Sequence, residues 1–208
     1  MNRNLFHQEQ YTQKNVLPKD GSVELIQNVL SLEQESRFFH SLFSQIHWQS
    51  DEIQLFGKKI ITKRKVAWYG DEAYSYTYSH STKVALAWSS SLKELKLLVE
   101  DISKESFNSC LLNLYHSGQE GMSWHADNEK ELQKHGAIAS LSLGAERKFS
   151  FKHKTTGEKV NLNLAGGSLL IMRGNTQDHW LHQLPKSKKV TSPRINLTFR
   201  TIENHSWQ

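Results

Sequence analysis

Apolar residues recur at helical spacing in two stretches, Phe38, Phe39, Leu42, Phe43 and Ile46 after Ser31, and Leu92, Leu95, Leu98, Val99 and Ile102 after Ser91. Each serine is followed three residues later by Gln34 or Glu94, the spacing of a capping box. The pattern predicts helices opening at Ser31 and Ser91, with both stripes as core faces. Between them, residues 53–61 and 66–80 read as extended, broken by Gly57 and by Gly70-Asp71. From Asn108 onward short β-like runs follow at 108–115, 137–143, 147–153, 159–164, 168–173, 178–184 and 194–202, separated by turns rich in Gly, Asn or Lys. Several short strands without intervening helices predict a sandwich or jelly roll, so the plan is an N-terminal α/β lobe on a C-terminal β-sandwich. Residues 1–22, polar and carrying Pro18 and Asp20-Gly21, read as a loosely ordered leader.

Composition narrows the chemistry. The chain has 208 residues, 37% hydrophobic and 23% charged, which suits one folded domain with an appended lobe and excludes disorder and low complexity. Its single cysteine, Cys110, excludes an internal disulfide and a thiolate metal cage, so any metal is held by His and carboxylate. No apolar run approaches the length of a membrane span, and Met1 to Gln10 lack the apolar core of a secretory signal. A reducing, intracellular compartment is expected. The formal charge of +5, from 26 Lys+Arg against 21 Asp+Glu, favours an anionic partner without naming it.

The sharpest local feature is His125-Ala126-Asp127, because residues two apart in an extended segment point the same way. Two His and one carboxylate on one face of an octahedron leave three positions open, the arrangement of non-haem Fe(II) oxygenases. Taken alone, the triplet more often marks a surface His beside a turn Asp. His179 and His182 are the candidates for the third ligand, and periodicity does not choose between them. Further on, Arg194, Asn196, Thr198 and Arg200 alternate with Ile195, Leu197 and Phe199. The polar face suits either an edge strand in water or a cavity for a dicarboxylate, which guanidinium groups bind in a planar fork. The two Arg α-carbons stand roughly 20 Å apart in an extended strand, so they engage different ends of a small acid, or one braces the metal.

On these residues the chain resembles the AlkB group of Fe(II)- and 2-oxoglutarate-dependent dioxygenases, closest to the branch that repairs alkylated duplex DNA. The resemblance rests on His125-x-Asp127, on His182 twelve residues before Arg194, on Arg194-x-Asn196-x-Thr198-x-Arg200 and on Asn113-Leu114-Tyr115, and it runs from about residue 53 to 202. It implies an α+β fold, a double-stranded β-helix (jelly roll) with an N-terminal α/β nucleotide-recognition lid. The division would be a polar leader over 1–22, helices and lid over 23–107 and an Fe(II)/2-oxoglutarate core over 108–208, all in one compact unit. It also implies Fe(II) on His125, Asp127 and His182, and 2-oxoglutarate on Asn113, Tyr115, Arg194, Asn196, Thr198 and Arg200, with O2 as oxidant and no side-chain nucleophile.

The implied activity is oxidative dealkylation of 1-methyladenine and 3-methylcytosine in double- or single-stranded DNA, yielding formaldehyde, succinate and CO2. The alternatives are an RNA demethylase or other 2-oxoglutarate-dependent hydroxylase, and a non-catalytic nucleic-acid-binding module. For the lid, the resemblance makes Phe56 the wedge of a Leu55-Phe56-Gly57-Lys58 hairpin, filling the gap of a flipped base. Arg64 becomes a nucleic-acid contact, Tyr76 and Tyr78 pocket walls, and Asn128 and Glu129 readers of the base. Two basic runs, Lys58 to Lys65 and Lys186 to Lys189, flank the implied site and are expected to meet phosphate. A monomer is expected, with no membrane association, in the bacterial nucleoid or cytoplasm or a eukaryotic nucleus.

Overall fold

The computed structural model describes residues 11–55, 58–78 and 81–203, with the side chains of 51–55, 58–60, 76–78 and 81–83 outside that description. In chain order the elements are β1 (Tyr11–Gln13), β2 (Ser22–Gln27), α1 (Leu32–Gln45), β3 (Gln49–Leu55), β4 (Lys58–Gly70), β5 (Ser75–Tyr78), β6 (Ser81–Val84), β7 (Leu86–Ala87) and α2 (Ser90–Ser103). There follow β8 (Ser109–Tyr115), β9 (Met122–His125), β10 (Ile138–Gly144), β11 (Arg147–His153), β12 (Lys159–Leu164), β13 (Leu169–Arg173), α3 (Thr176–His179), β14 (Trp180–Leu184) and β15 (Arg194–Arg200). None of the described helices is long and apolar enough to cross a membrane.

Both capped helices form, one of them displaced. At α1 the Ser31 hydroxyl accepts from the Gln34 amide at 3.2 Å, and Gln34 Oε1 accepts from the Ser31 amide at 2.9 Å. This closes the expected box. At α2 the cap is Ser89, not Ser91, its hydroxyl accepting from the Leu92 amide at 3.3 Å. Three consecutive serines offer three starts, and the phase is the one that buries Leu92, Leu95 and Val99 together. Glu94, expected in the box, instead pairs with Arg37 of α1 at 2.6 Å on an exposed surface.

A large, mostly antiparallel sheet runs β1-β2-β13-β10-β15-β8-β4-β3, with β7 added to β4 in parallel, and faces a smaller sheet, β12-β11-β14-β9. Alternation sorts the large sheet's side chains into two layers. Leu112, Leu114, Leu141, Leu143, Ile195, Leu197 and Phe199 pack with α1 and α2 in one core. On the opposite face Leu170 and Met172 of β13 join Phe151, Leu162 and Trp180 of the small sheet in a second core. Asn113, Tyr115, Ser140, Ser142, Arg194 and Asn196 alternate with the first set, so the same inter-sheet face becomes polar beside that second core. β15 lies between β10 and β8, which settles against an edge strand in water.

The structure departs from several sequence expectations. The extended run over 53–61 is a hairpin, with Ile53 opposite Ile60, and Lys63 to Lys65 lie in its second strand. Instead of continuing through 66–80, that strand ends at Gly70 and a separate β5 begins at Ser75. The run over 178–184 begins as the helical turn α3. Residues 11–22 of the expected leader are tied into the fold: β1 pairs with β2, Leu17 is buried, and Trp180 Nε1 donates to the Lys19 carbonyl at 3.0 Å. Strand pairing of β8 with β4 and of β2 with β13 crosses residues 107 and 108, within the one compact unit expected.

Candidate metal centre

His125 ends β9 and His182 sits in β14, where the ladder makes them direct partners with ring centroids 4.2 Å apart. Asp127 follows on the loop after β9. From it Oδ1 lies 3.7 Å from His125 Nε2 and 3.9 Å from His182 Nε2, and the three ligand atoms lie within 4.8 Å of one another. These separations exceed a hydrogen bond, so the carboxylate and imidazoles do not consume one another's donor atoms. His125 Nδ1 lies 2.8 Å from the Ser123 carbonyl, which only accepts, so Nδ1 carries the proton and Nε2 keeps its lone pair for a metal. The Gln177 amide oxygen accepts from the Asp127 backbone at 3.0 Å and holds the ligand loop against α3.

Electrostatics keep Asp127 and His182 ready for a cation. Burial pushes the Asp127 carboxyl up, but Arg200, His182 and His125 outweigh it and hold it below the ordinary carboxylate range. Burial pushes His182 down to about 4, with Asp127 opposing and His125 and Arg200 adding, so the imidazole is neutral at physiological pH. His179, the competing candidate, stacks on His153 with centroids 6.2 Å apart and takes no part in the cluster.

The polar inter-sheet face forms a continuous network. Arg194 Nη2 donates to Ser142 Oγ at 2.9 Å and to Asn196 Oδ1 at 2.6 Å, Ser140 Oγ donates to the same oxygen at 3.0 Å, and Asn196 Nδ2 donates to Thr198 Oγ1 at 2.9 Å. Pairing of β15 with β8 puts Arg194 opposite Tyr115 and Asn196 opposite Asn113. Asn113 Oδ1, Arg194 Nε and Arg200 Nε are buried without a hydrogen-bond partner, and among the described residues no carboxylate lies within ion-pair distance of Arg194. Unpaired buried donors on a guanidinium fit an anionic guest. Arg200 stands at the metal end, where burial lowers its pKa but Asp127 and Glu129 raise it further, and it donates to Glu129 at 3.3 Å. The two arginines thus serve different ends of the strand.

The other expected contacts sort less evenly. A cavity of about 550 Å³ is lined by Asp127, Asn128, Glu129, Gln177 and Arg200 together with residues 132–138, and His125 and His182 do not line it. Asn128 is exposed, while Glu129 is engaged with Arg200. Arg64 is 7% exposed and donates to Met122 Sδ at 2.9 Å across the two sheets, since alternation turns it inward while Lys63 faces solvent. Lys65 bonds Ser50 at 2.9 Å, and Lys186, Lys188 and Lys189 are exposed. Phe56 and Gly57 lie outside the described residues, as do the side chains of Lys58, Tyr76 and Tyr78. Burial pushes the Cys110 thiol up, which leaves it unreactive. Sequence reasoning missed Ser140, Ser142, Gln177 and Arg147. The two serines had a signal in their alternation with Leu141 and Leu143; Gln177 and Arg147 had none.

Comparison with known proteins agrees with this geometry. The family model of the 2OG-Fe(II) oxygenase superfamily matches residues 22–200. DNA oxidative demethylase ALKBH2 of Mus musculus is 38% identical over 190 residues, covering 88% of this chain and 77% of that protein. The Bos taurus counterpart is also 38% identical over 190 residues, and there the chain covers 66% of its length. The solved structure of OsALKBH1 shares the fold, with a TM-score of 0.63 at 15% identity over 91% of this chain and all of that one. The chain belongs to the 2OG-Fe(II) oxygenase superfamily and, within it, to the AlkB family.

Proposed function

We propose that the protein removes N-alkyl groups oxidatively from bases in DNA, 1-methyladenine and 3-methylcytosine foremost, converting 2-oxoglutarate and O2 to succinate and CO2 and releasing formaldehyde. The observation that carries this proposal is the His125–Asp127–His182 cluster beside a buried, carboxylate-free Arg194. The relatives named DNA oxidative demethylase supply the substrate class.

His125 Nε2, Asp127 and His182 Nε2 would hold Fe(II), which with bound 2-oxoglutarate supplies the oxidising power to hydroxylate an N-methyl group. Everything else falls to the chain. Arg194 would grip the far carboxylate of 2-oxoglutarate, with Tyr115 and Asn113 completing the pocket wall. Arg200 holds Asp127 ionised and Glu129 in place, so the carboxylate would stay available to the cation. Neutral His182 brings no proton to compete with the cation, and the Ser123 carbonyl holds the Nδ1 side of His125 away from the cluster. The lid would comprise the tip of the β3–β4 hairpin and β5–β6, with Phe56 as wedge and Tyr76 and Tyr78 as walls, over the core of 108–208. All metal and cosubstrate residues come from one chain, which supports a monomer acting where DNA is held, in nucleoid or nucleus.

The test is incubation with Fe(II), ascorbate, 2-oxoglutarate and an oligonucleotide carrying 1-methyladenine, as duplex and single strand. Formaldehyde and unmodified adenine should appear in equal amounts, and Asp127→Ala should abolish both. Repair that survives this substitution would overturn the metal assignment. Phe56→Ala should slow repair of duplex more than of single strand.

A further inference from the structure

Arg147, at the start of β11, is 2% exposed and spends its guanidinium on main-chain carbonyls of two loops. Nη2 donates to Glu120 at 2.8 Å and to Pro185 at 2.9 Å, and Nη1 donates to Ser117 at 3.3 Å. The two loops also bond each other: the Gly118 amide donates to the Val190 carbonyl at 2.8 Å, and the Ser187 amide to the Gly118 carbonyl at 2.6 Å. A Cβ on Gly118 would collide with the Ser187 carbonyl, and one on Gly121 with the Leu184 carbonyl, so the backbones are in direct contact. The second loop carries the exposed Lys186, Lys188 and Lys189.

On its other side Arg147 approaches the anion pocket. Its guanidinium carbon and that of Arg194 each lie 5.8 Å from the centroid of the Tyr115 ring. Among the described residues neither has a carboxylate within ion-pair distance. Two buried like charges sharing one ring repel: burial lowers the pKa of Arg194 most, and Arg147 adds to that lowering. Arg147 already makes its three carbonyl bonds, and an anion on Arg194 offsets the repulsion that opposes them and so strengthens that hold.

We propose that Arg147 is a positioning residue that links occupancy of the dicarboxylate pocket to the order of the lysine-bearing loop 185–190, so that 2-oxoglutarate binding tightens the hold on nucleic acid. The link rests on the 2-oxoglutarate pocket proposed above and is reciprocal by thermodynamic necessity.

The test follows amide hydrogen exchange at Gly118 and Ser187 in the full-length, Mn(II)-loaded protein, with 2-oxoglutarate binding measured separately by calorimetry. In wild type, saturating 2-oxoglutarate should slow both amides by about fivefold or more. In Arg147→Met the slowing should vanish while 2-oxoglutarate still binds, and Arg147→Lys, which keeps the charge but not the fork, should keep only part of it. Wild-type protein decides alone if the variants fail to fold. Binding without slowing, or full slowing in a folded Arg147→Met, overturns the link and leaves the function standing; no binding at all overturns the 2-oxoglutarate pocket and the link with it.

Discussion

Arg194 stands directly across the β8–β15 ladder from Tyr115, its guanidinium carbon 5.8 Å from the ring centroid, and its hydrogen-bond partners Ser142 and Asn196 are neutral. Burial pushes this guanidinium down to about 10, with Tyr115 opposing and Arg147 adding. A buried cation without a counter-charge costs stability unless a ligand completes it. An anion bound to Arg194, as proposed above, would offset that cost.

Arg194→Met should accordingly act in opposite directions on binding and stability. Loss of a buried charge partner costs on the order of 2–5 kcal/mol, so 2-oxoglutarate affinity by calorimetry should fall by roughly 30-fold or more. Unfolding of the ligand-free variant in denaturant should be within about 1 kcal/mol of the parent, or more stable. A variant that binds 2-oxoglutarate normally would remove Arg194 from the pocket.

Acid should weaken the metal-free protein before its carboxylates titrate. His182 has a pKa near 4 in the fold and 6.5 as its ordinary value, so between these the unfolded chain binds the extra proton. Stability is then fully present above pH 6.5 and declines as pH falls towards 4, by about 3 kcal/mol from this group. Denaturant titrations at half-unit steps should show that slope, and His182→Asn should flatten it. Asp127, held below its ordinary range, adds a further loss at lower pH.

The jelly roll and its polar seam were legible because alternation is local. Ile195, Leu197 and Phe199 had to share a face, and burying that face against α1 and α2 leaves Arg194, Asn196, Thr198 and Arg200 no direction but the space between the sheets. The choice of His182 over His179 was not legible from period, because α3 interrupts the strand and only the pairing of His182 with His125 decides it. The burial of Arg64 was not legible for a related reason: within Lys63-Arg64-Lys65 charge reads as one run, but a strand sends neighbours to opposite faces. Arg147 and Gln177 carry no signal, since each acts on backbone groups distant in sequence.

The exposed Lys186, Lys188 and Lys189 should supply the salt-dependent part of DNA affinity. Each phosphate contact adds about 0.9 to the slope of log affinity against log salt. Replacing all three by alanine should lower that slope by up to about 3 and weaken binding uniformly across sequences, while 2-oxoglutarate affinity changes little. Fluorescence anisotropy with duplex DNA over a salt series measures it; an unchanged slope would move the phosphate path elsewhere.

Gln177 supplies the last test, because it touches Asp127 through the backbone and not through the ligand atom. Its Oε1 accepts from the Asp127 amide at 3.0 Å and its Nε2 approaches Met172 Sδ at 3.3 Å, so it spans from the metal loop to the inter-sheet core. Removing a group that orients a ligand typically lowers metal affinity 10- to 100-fold while leaving the ligand set intact. Gln177→Ala should therefore bind Fe(II) or Mn(II) about 10-fold more weakly or worse, and excess metal should restore turnover. Gln177→Glu keeps the accepting oxygen but adds a negative charge near Asp127, so it should hold the loop and retain more affinity than the alanine variant. Metal titration of both separates the two effects, and equal affinity in Gln177→Ala and the parent would show that Asp127 is held without α3.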